Sequence, residues 1–134
     1  MEEVIRFLKE NPIGFLASVD NGKPRVRPFG FMLEENGKLY FCTGTVKDVY
    51  KQLKNVPSVE FSCLSKDFSK WLRVNGQIKF SDDAKIKEKI INSQPLVKSI
   101  YKTADNPVFT IFFIDNGNAS LWDFSGNPPK TIKL

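Results

Sequence analysis

Residues 13–43 read IGFLASVDNGKPRVRPFGFMLEENGKLYFCT, three apolar runs broken by Asp20-Asn21-Gly22 and by Asn36-Gly37. Asn-Gly readily supplies the two positive φ angles of a type I′ turn, the geometry that joins antiparallel strands without splaying them. The pattern predicts strands over 13–19, about 24–33 and 39–43, arranged as an antiparallel meander. On the N-terminal side, Val4, Ile5 and Leu8 make a helical stripe within residues 1–11. Pro12 ends it, because proline disfavours helical geometry in the residue before it. On the C-terminal side, Val46, Val49, Tyr50 and Leu53 recur at helical spacing, predicting a helix with one buried face that Asn55 and Pro57 close. Residues 58–64 read as a strand, and so do Trp71 to Phe80, where Gly76 marks a bulge or a close backbone approach. Ser81-Asp82-Asp83 can cap a helix over about 83–92, and a second helical piece runs from Leu96 to Tyr101. Two strands, 108–114 and 119–124, flank Asp115-Asn116-Gly117-Asn118, and residues 131–134 supply a short edge strand. The sum is a mainly β, α+β domain of six or seven mostly antiparallel strands with short helices. A closed or partly open barrel suits it, since closure removes exposed edges.

The length of 134 residues suits one domain spanning 1–134. Hydrophobic residues are 41% and charged residues 26%, a balance that excludes both a disordered and a membrane-embedded chain. No apolar run approaches the roughly 20 residues of a transmembrane helix. Met1 to Arg6 is acidic and amphipathic, without a signal-peptide core, so a cytoplasmic protein is expected. Histidine is absent, which removes His-based triads, most zinc sites and His-ligated haem. Cys42 and Cys63 lack CxxC spacing and sit in apolar runs, so both read as small core residues rather than metal ligands or a disulfide. The net charge of +5 draws anions: nucleic acid, an acidic lipid surface or a phosphorylated small molecule.

Strand side chains alternate faces, so Lys23, Arg25 and Arg27 share one side, continued by Phe29 and Phe31. Two guanidinium groups beside aromatic surface suit a phosphorylated aromatic ligand. A solvated basic face followed by core phenylalanines explains the same pattern. Pro28 and Gly30 interrupt the ladder, which opens backbone to a ligand. Thr43-Gly44-Thr45-Val46-Lys47 joins a strand end to a helix N-terminus, where free N–H groups and the dipole favour an anion. Ordinary capping by Thr45, with Lys47 exposed, is the commoner explanation of such a sequence. Trp71 and Trp122 can each cover a planar ligand or pack in the core.

Taken together, the N-terminal helix, Ile13-Gly14-Phe15-Leu16-Ala17, Gly22-Lys23-Pro24-Arg25-Val26-Arg27-Pro28, Leu39-Tyr40-Phe41-Cys42-Thr43, and Val46-Lys47 with Gln52-Leu53 and Asn55 resemble one family in order and spacing. It is the pyridoxamine 5′-phosphate oxidase-like, FMN-binding split-barrel superfamily, in its nitroimidazole-resistance (NimA/NimC-like) branch. The resemblance implies an antiparallel split β-barrel with short flanking helices, forming a homodimer with two FMN sites at the subunit interface. It implies cofactor contacts from Arg25, Val26, Arg27, Pro28, Phe29 and Gly30, and from Cys42, Thr43, Thr45, Lys47 and Gln52, with Thr43 and Lys47 at the phosphate. Trp71 and Trp122 fall near positions that reach the flavin from the facing subunit. The chain departs from the larger oxidases at Val46, where they carry a second basic residue.

Flavin chemistry needs no histidine, because hydride and electron transfer reside in the isoalloxazine ring. The expected activity is two-step: NAD(P)H reduces FMN, and a small nitroaromatic or quinone-like acceptor reoxidises it. A flavin store, sensor or electron carrier without turnover is the alternative. A reading of another class is a basic β-barrel that binds nucleic acid by phenylalanine stacking. Against it, the basic residues are scattered and the phenylalanines lie in apolar runs, so neither nucleic acid nor membrane is the expected partner.

Overall fold

Asp20-Asn21-Gly22 forms the hairpin turn its sequence predicts: in the computed structural model, which describes all of residues 1–134, Asn21 and Gly22 take φ of 53° and 74°. The hairpin joins β1 (Ile13–Asp20) to β2 (Lys23–Gly30), after the helix α1 (Glu2–Glu10). Then come β3 (Leu33–Glu35), β4 (Lys38–Gly44), α2 (Asp48–Asn55), β5 (Ser58–Leu64) and β6 (Lys70–Ser81). The chain continues through α3 (Ala84–Ser93), α4 (Pro95–Tyr101), β7 (Phe109–Asp123) and β8 (Lys130–Lys133). One sheet runs β2-β1-β5-β6-β7-β4-β3, with β8 added on β7. Its two ends do not pair, so the barrel is split.

Four features differ from the sequence reading, each for a local reason. The strand expected to run to Leu33 stops at Gly30: the Phe31 N–H bonds to the Pro12 carbonyl and the Met32 N–H to that of Tyr40, so the chain changes partners. The expected meander is therefore broken, because β2 does not pair with β4. The helix expected from Val46 begins at Asp48, because the Lys47 N–H closes a tight turn onto the Gly44 carbonyl; Val46 is left 73% exposed. The two strands expected around Asp115–Asn118 are one strand, β7, bent by a bulge. There Asn75 pairs with Asn118 and Gln77 with Asp115, so Gly76 faces both Asn116 and Gly117. A Cβ on Gly76 would collide with the Asp115 carbonyl, and one on Gly117 with that of Asn75. With β3 and β8 counted, the strands number eight.

The barrel interior is aromatic. Phe41 lies 5.0 Å from Phe61, 5.7 Å from Phe112, 6.0 Å from Phe31 and 6.2 Å from Phe29 between ring centroids. Val4, Phe7 and Leu8 of α1 and Val49 and Leu53 of α2 join this core. A second cluster packs Ile86, Ile90, Ile91, Val97 and Tyr101 of α3 and α4 on Tyr40, Phe109 and Ile111. Asp83 caps α3 as expected, accepting from the Lys85 and Ile86 amides at 3.0 and 3.3 Å. No helix is long and apolar enough to cross a membrane.

Candidate functional site

The two arginines of β2 have different fates. Arg25 is exposed and paired with Asp20 at 3.3 Å. Arg27 is half-buried and has no carboxylate partner. Its guanidinium donates to the Leu16 carbonyl at 3.1 Å, to the Arg25 carbonyl at 3.5 Å and to Gln52 Oε1 at 2.6 Å. Burial lowers its pKa from the ordinary value, yet guanidinium stays charged in proteins. An unpaired cation thus spans the seam between β2 and α2.

The helix α2 packs on β1 and also on β4, the strand that leads into it. Thr43 faces the barrel interior, is 3% exposed, and its Oγ1 has no hydrogen-bond partner. Buried hydroxyls are nearly always partnered, so this atom is an orphan. The chain then turns: the Thr45 N–H extends the ladder to the Val108 carbonyl. Thr45 is thus not the expected cap; Lys47 occupies that position, and no side chain caps α2. The amides of Asp48 and Val49 donate to no protein group, and such free first-turn amides attract anions. Cys42 is held protonated, burial pushing its thiol up to about 11 while the charge of Lys47 opposes the rise. Cys63 is buried, and burial raises its thiol to about 12; neither sulfur is a thiolate nucleophile.

The other predicted residues fall into two groups. Phe29 turns inward and packs on Phe41 and Phe112, so Phe29, Phe31 and Phe41 build the core. Val26, Pro28 and Gly30 pair with Ala17, Phe15 and Ile13 and share the sheet's other face. That outer face carries exposed Ile13, Phe15, Val26 and Leu64. Trp71 and Trp122 lie on it too, outside the core. They stack at 6.0 Å with planes 10° apart, with Arg73 over Trp122 at 5.4 Å. Thr43 pairs with Thr110 and Trp71 with Trp122 on the same strand. Thr110 and Trp122 are twelve residues apart with the bulge of β7 between them, so the tryptophans sit towards the opposite end of that strand from Thr43.

A cleft of about 760 Å³ opens elsewhere, between α1, the β5–β6 loop and the β7–β8 connection. Its charges balance, with Glu3, Glu10, Asp67 and Asp123 against Arg6, Lys66, Lys70 and Lys130. One residue of the seam escapes sequence reasoning: Ser18, 2% exposed, donates to Gln52 Oε1 at 2.6 Å. Its only signal is a hydroxyl at an inward position of an otherwise apolar strand.

A family model described as pyridoxamine 5′-phosphate oxidase matches residues 1–122. The chain belongs to the pyridoxamine 5′-phosphate oxidase family. Among solved structures, this family member is similar to a NimC/NimA family protein from Clostridium acetobutylicum, with 32% identity and a TM-score of 0.89 over 100% of this chain and 92% of the other. General Stress Protein 26 from Bacillus anthracis shares the fold at 21% identity and TM-score 0.79, over 99% and 98% of the two chains. So does a pyridoxamine 5′-phosphate oxidase-related, FMN-binding protein from Nostoc punctiforme, at 18% identity and TM-score 0.64, over 96% and 84%. No curated protein sequence matches significantly.

Proposed function

We propose that this pyridoxamine 5′-phosphate oxidase family member is an FMN-binding flavoprotein that passes electrons from NAD(P)H to a small nitroaromatic- or quinone-like acceptor. The observation that carries the reading is an uncompensated charge and unpartnered polar groups on α2 and the strands around it. Arg27 has no carboxylate, the buried Thr43 hydroxyl has no partner, and the first amides of α2 stand free beside Lys47. Such a set fits a ligand with a phosphate at one end and acceptor oxygens along its body. Lys47, Thr43 and the α2 amides would hold the phosphate, with Arg27 and Gln52 further along. When bound, FMN supplies the hydride and electron chemistry. Arg27 contributes positive charge that favours an electron-rich, anionic state of its ligand. Phe29, wedged against Phe41 and Phe112, fixes the strand that carries Arg27.

The functional unit is a homodimer on this reading. Ile13, Phe15, Val26 and Leu64 expose apolar surface on one face, as association surfaces do. A second copy there would bring its Trp71 and Trp122, which lie on the same outer face, towards the facing protomer's site. Storage or sensing of flavin without turnover is the second reading, and the two thiols held protonated supply no thiolate for substrate chemistry. The test is the visible spectrum of purified protein, before and after excess FMN and desalting. Retained flavin absorbance is expected; a folded protein that takes up none overturns the proposal. Oxidation of NAD(P)H that depends on an added nitroaromatic or quinone then separates turnover from storage.

A further inference from the structure

The inner face of β1 presents Gly14, Leu16, Ser18 and Asp20; Asp20 lies at the hairpin end and pairs with Arg25, and Ser18 is the one buried polar residue among them. Its hydroxyl and the Arg27 guanidinium both donate to Gln52 Oε1, each at 2.6 Å. Guanidinium can only donate, and a primary amide has one accepting and one donating end. The oxygen of Gln52 must therefore face Arg27, which turns Nε2 the other way. Neither Gln52 Nε2 nor Arg27 Nε donates to any protein group.

We propose that Ser18 is a positioning residue and Gln52 a ligand-binding donor: Ser18 and Arg27 lock the Gln52 amide so that Nε2 meets an acceptor oxygen of the bound ligand. This rests on the flavin reading and specifies it. Gln52 lies four residues beyond Asp48, the start of α2, a little more than one helical turn, or roughly 6 Å along the axis. The oxygen it meets therefore belongs to the ligand's body, a ribityl hydroxyl or ring carbonyl, and not to the terminal phosphate. FMN and riboflavin share that oxygen and differ only in the phosphate.

The experiment titrates apoprotein with FMN and with riboflavin, following flavin fluorescence. Ser18→Ala should weaken both flavins by the same factor, roughly three- to tenfold for one lost hydrogen bond. Ser18→Thr, which keeps the hydroxyl, should restore binding to within about twofold. Gln52→Glu keeps and strengthens the tie to Arg27 but removes the free N–H. Its melting temperature should equal or exceed the wild type's, while both flavins bind at least about tenfold more weakly. A merely structural role would move affinity and melting temperature together. Wild-type affinity in Ser18→Ala or in Gln52→Glu, or loss of FMN binding alone, overturns the assignment. The lock is also visible without ligand, as a resolved Gln52 side-chain amide pair in the NMR spectrum that shifts part of the way towards the free-amide position in Ser18→Ala, where Arg27 alone still holds the oxygen. An unmoved pair refutes the lock, whereas a wild type that binds neither flavin refutes the flavin reading instead.

Discussion

Replacing Arg27 and Lys47 together with alanine is the most direct challenge to the seam as an anion site. Each side chain brings one charge to a region with few competing carboxylates: Arg25 already holds Asp20, and Asp48 is the acidic residue of the first turn of α2. A charge-assisted hydrogen bond to a ligand contributes about 1.5–3 kcal/mol. Lys47 is exposed and Arg27 half-buried, so solvent screening puts both near the lower end, about 3 kcal/mol for the pair. At about 1.4 kcal/mol per tenfold, FMN affinity should fall roughly a hundredfold. The fold should survive, since Arg27 ties only an edge strand, to β1 through the Leu16 carbonyl and to α2 through Gln52. The assay is fluorescence titration of apoprotein, with circular dichroism to verify folding and riboflavin as a parallel ligand. For riboflavin the Lys47 share of the loss should vanish while the Arg27 share persists. A folded double variant with wild-type FMN affinity would refute the reasoning.

Three further outcomes are expected. Phe15→Glu places a charge at the centre of the exposed apolar face and should convert a dimer to monomers, read by sedimentation or light scattering; an unchanged mass locates the interface elsewhere. Gly117→Ala should cost about 3 kcal/mol or more by urea unfolding, because its Cβ meets the Asn75 carbonyl, whereas Gly37→Ala, with open space but φ of 79°, should cost about 1–2 kcal/mol. The Ser69 and Ser65 hydroxyls and the Ser69 amide hold the Asp67 carboxyl down to about 2. Its stabilisation is therefore complete above the ordinary carboxylate value near 4 and is lost as pH falls towards 2. Melting temperatures of the wild type and Asp67→Asn should converge over that interval, and parallel curves would disprove the coupling.

The local chemistry of the fold is written plainly in the chain. Asn21-Gly22 and Asn36-Gly37 can scarcely do other than turn, and Asp83 announces the start of α3. What periodicity conceals is partner choice. Nothing local says that Met32 leaves the β2 ladder for Tyr40, or that Asn116 and Gly117 make a bulge rather than a hairpin, because Gly76, far off in sequence, decides the latter. The same holds for the site. Arg27 and Lys47 carry their charge on the surface of the sequence, but which arginine of β2 is already neutralised depends on Asp20 across the hairpin. Ser18 becomes meaningful only once α2 brings Gln52 over β1.

The long bent strand β7 also sets the order in which the barrel can be assembled. The β1–β2 and β5–β6 hairpins join neighbours in sequence and can form as soon as their residues meet. Between Phe41 and Gly44, by contrast, β4 pairs only with residues 109–112. Until that segment arrives, the β4 edge and Phe41, the aromatic hub, wait without their partners. Pairings of such high sequence separation are slow and leave sticky edges open in the meantime. The residues most committed to the finished core are thus the last to be sheltered.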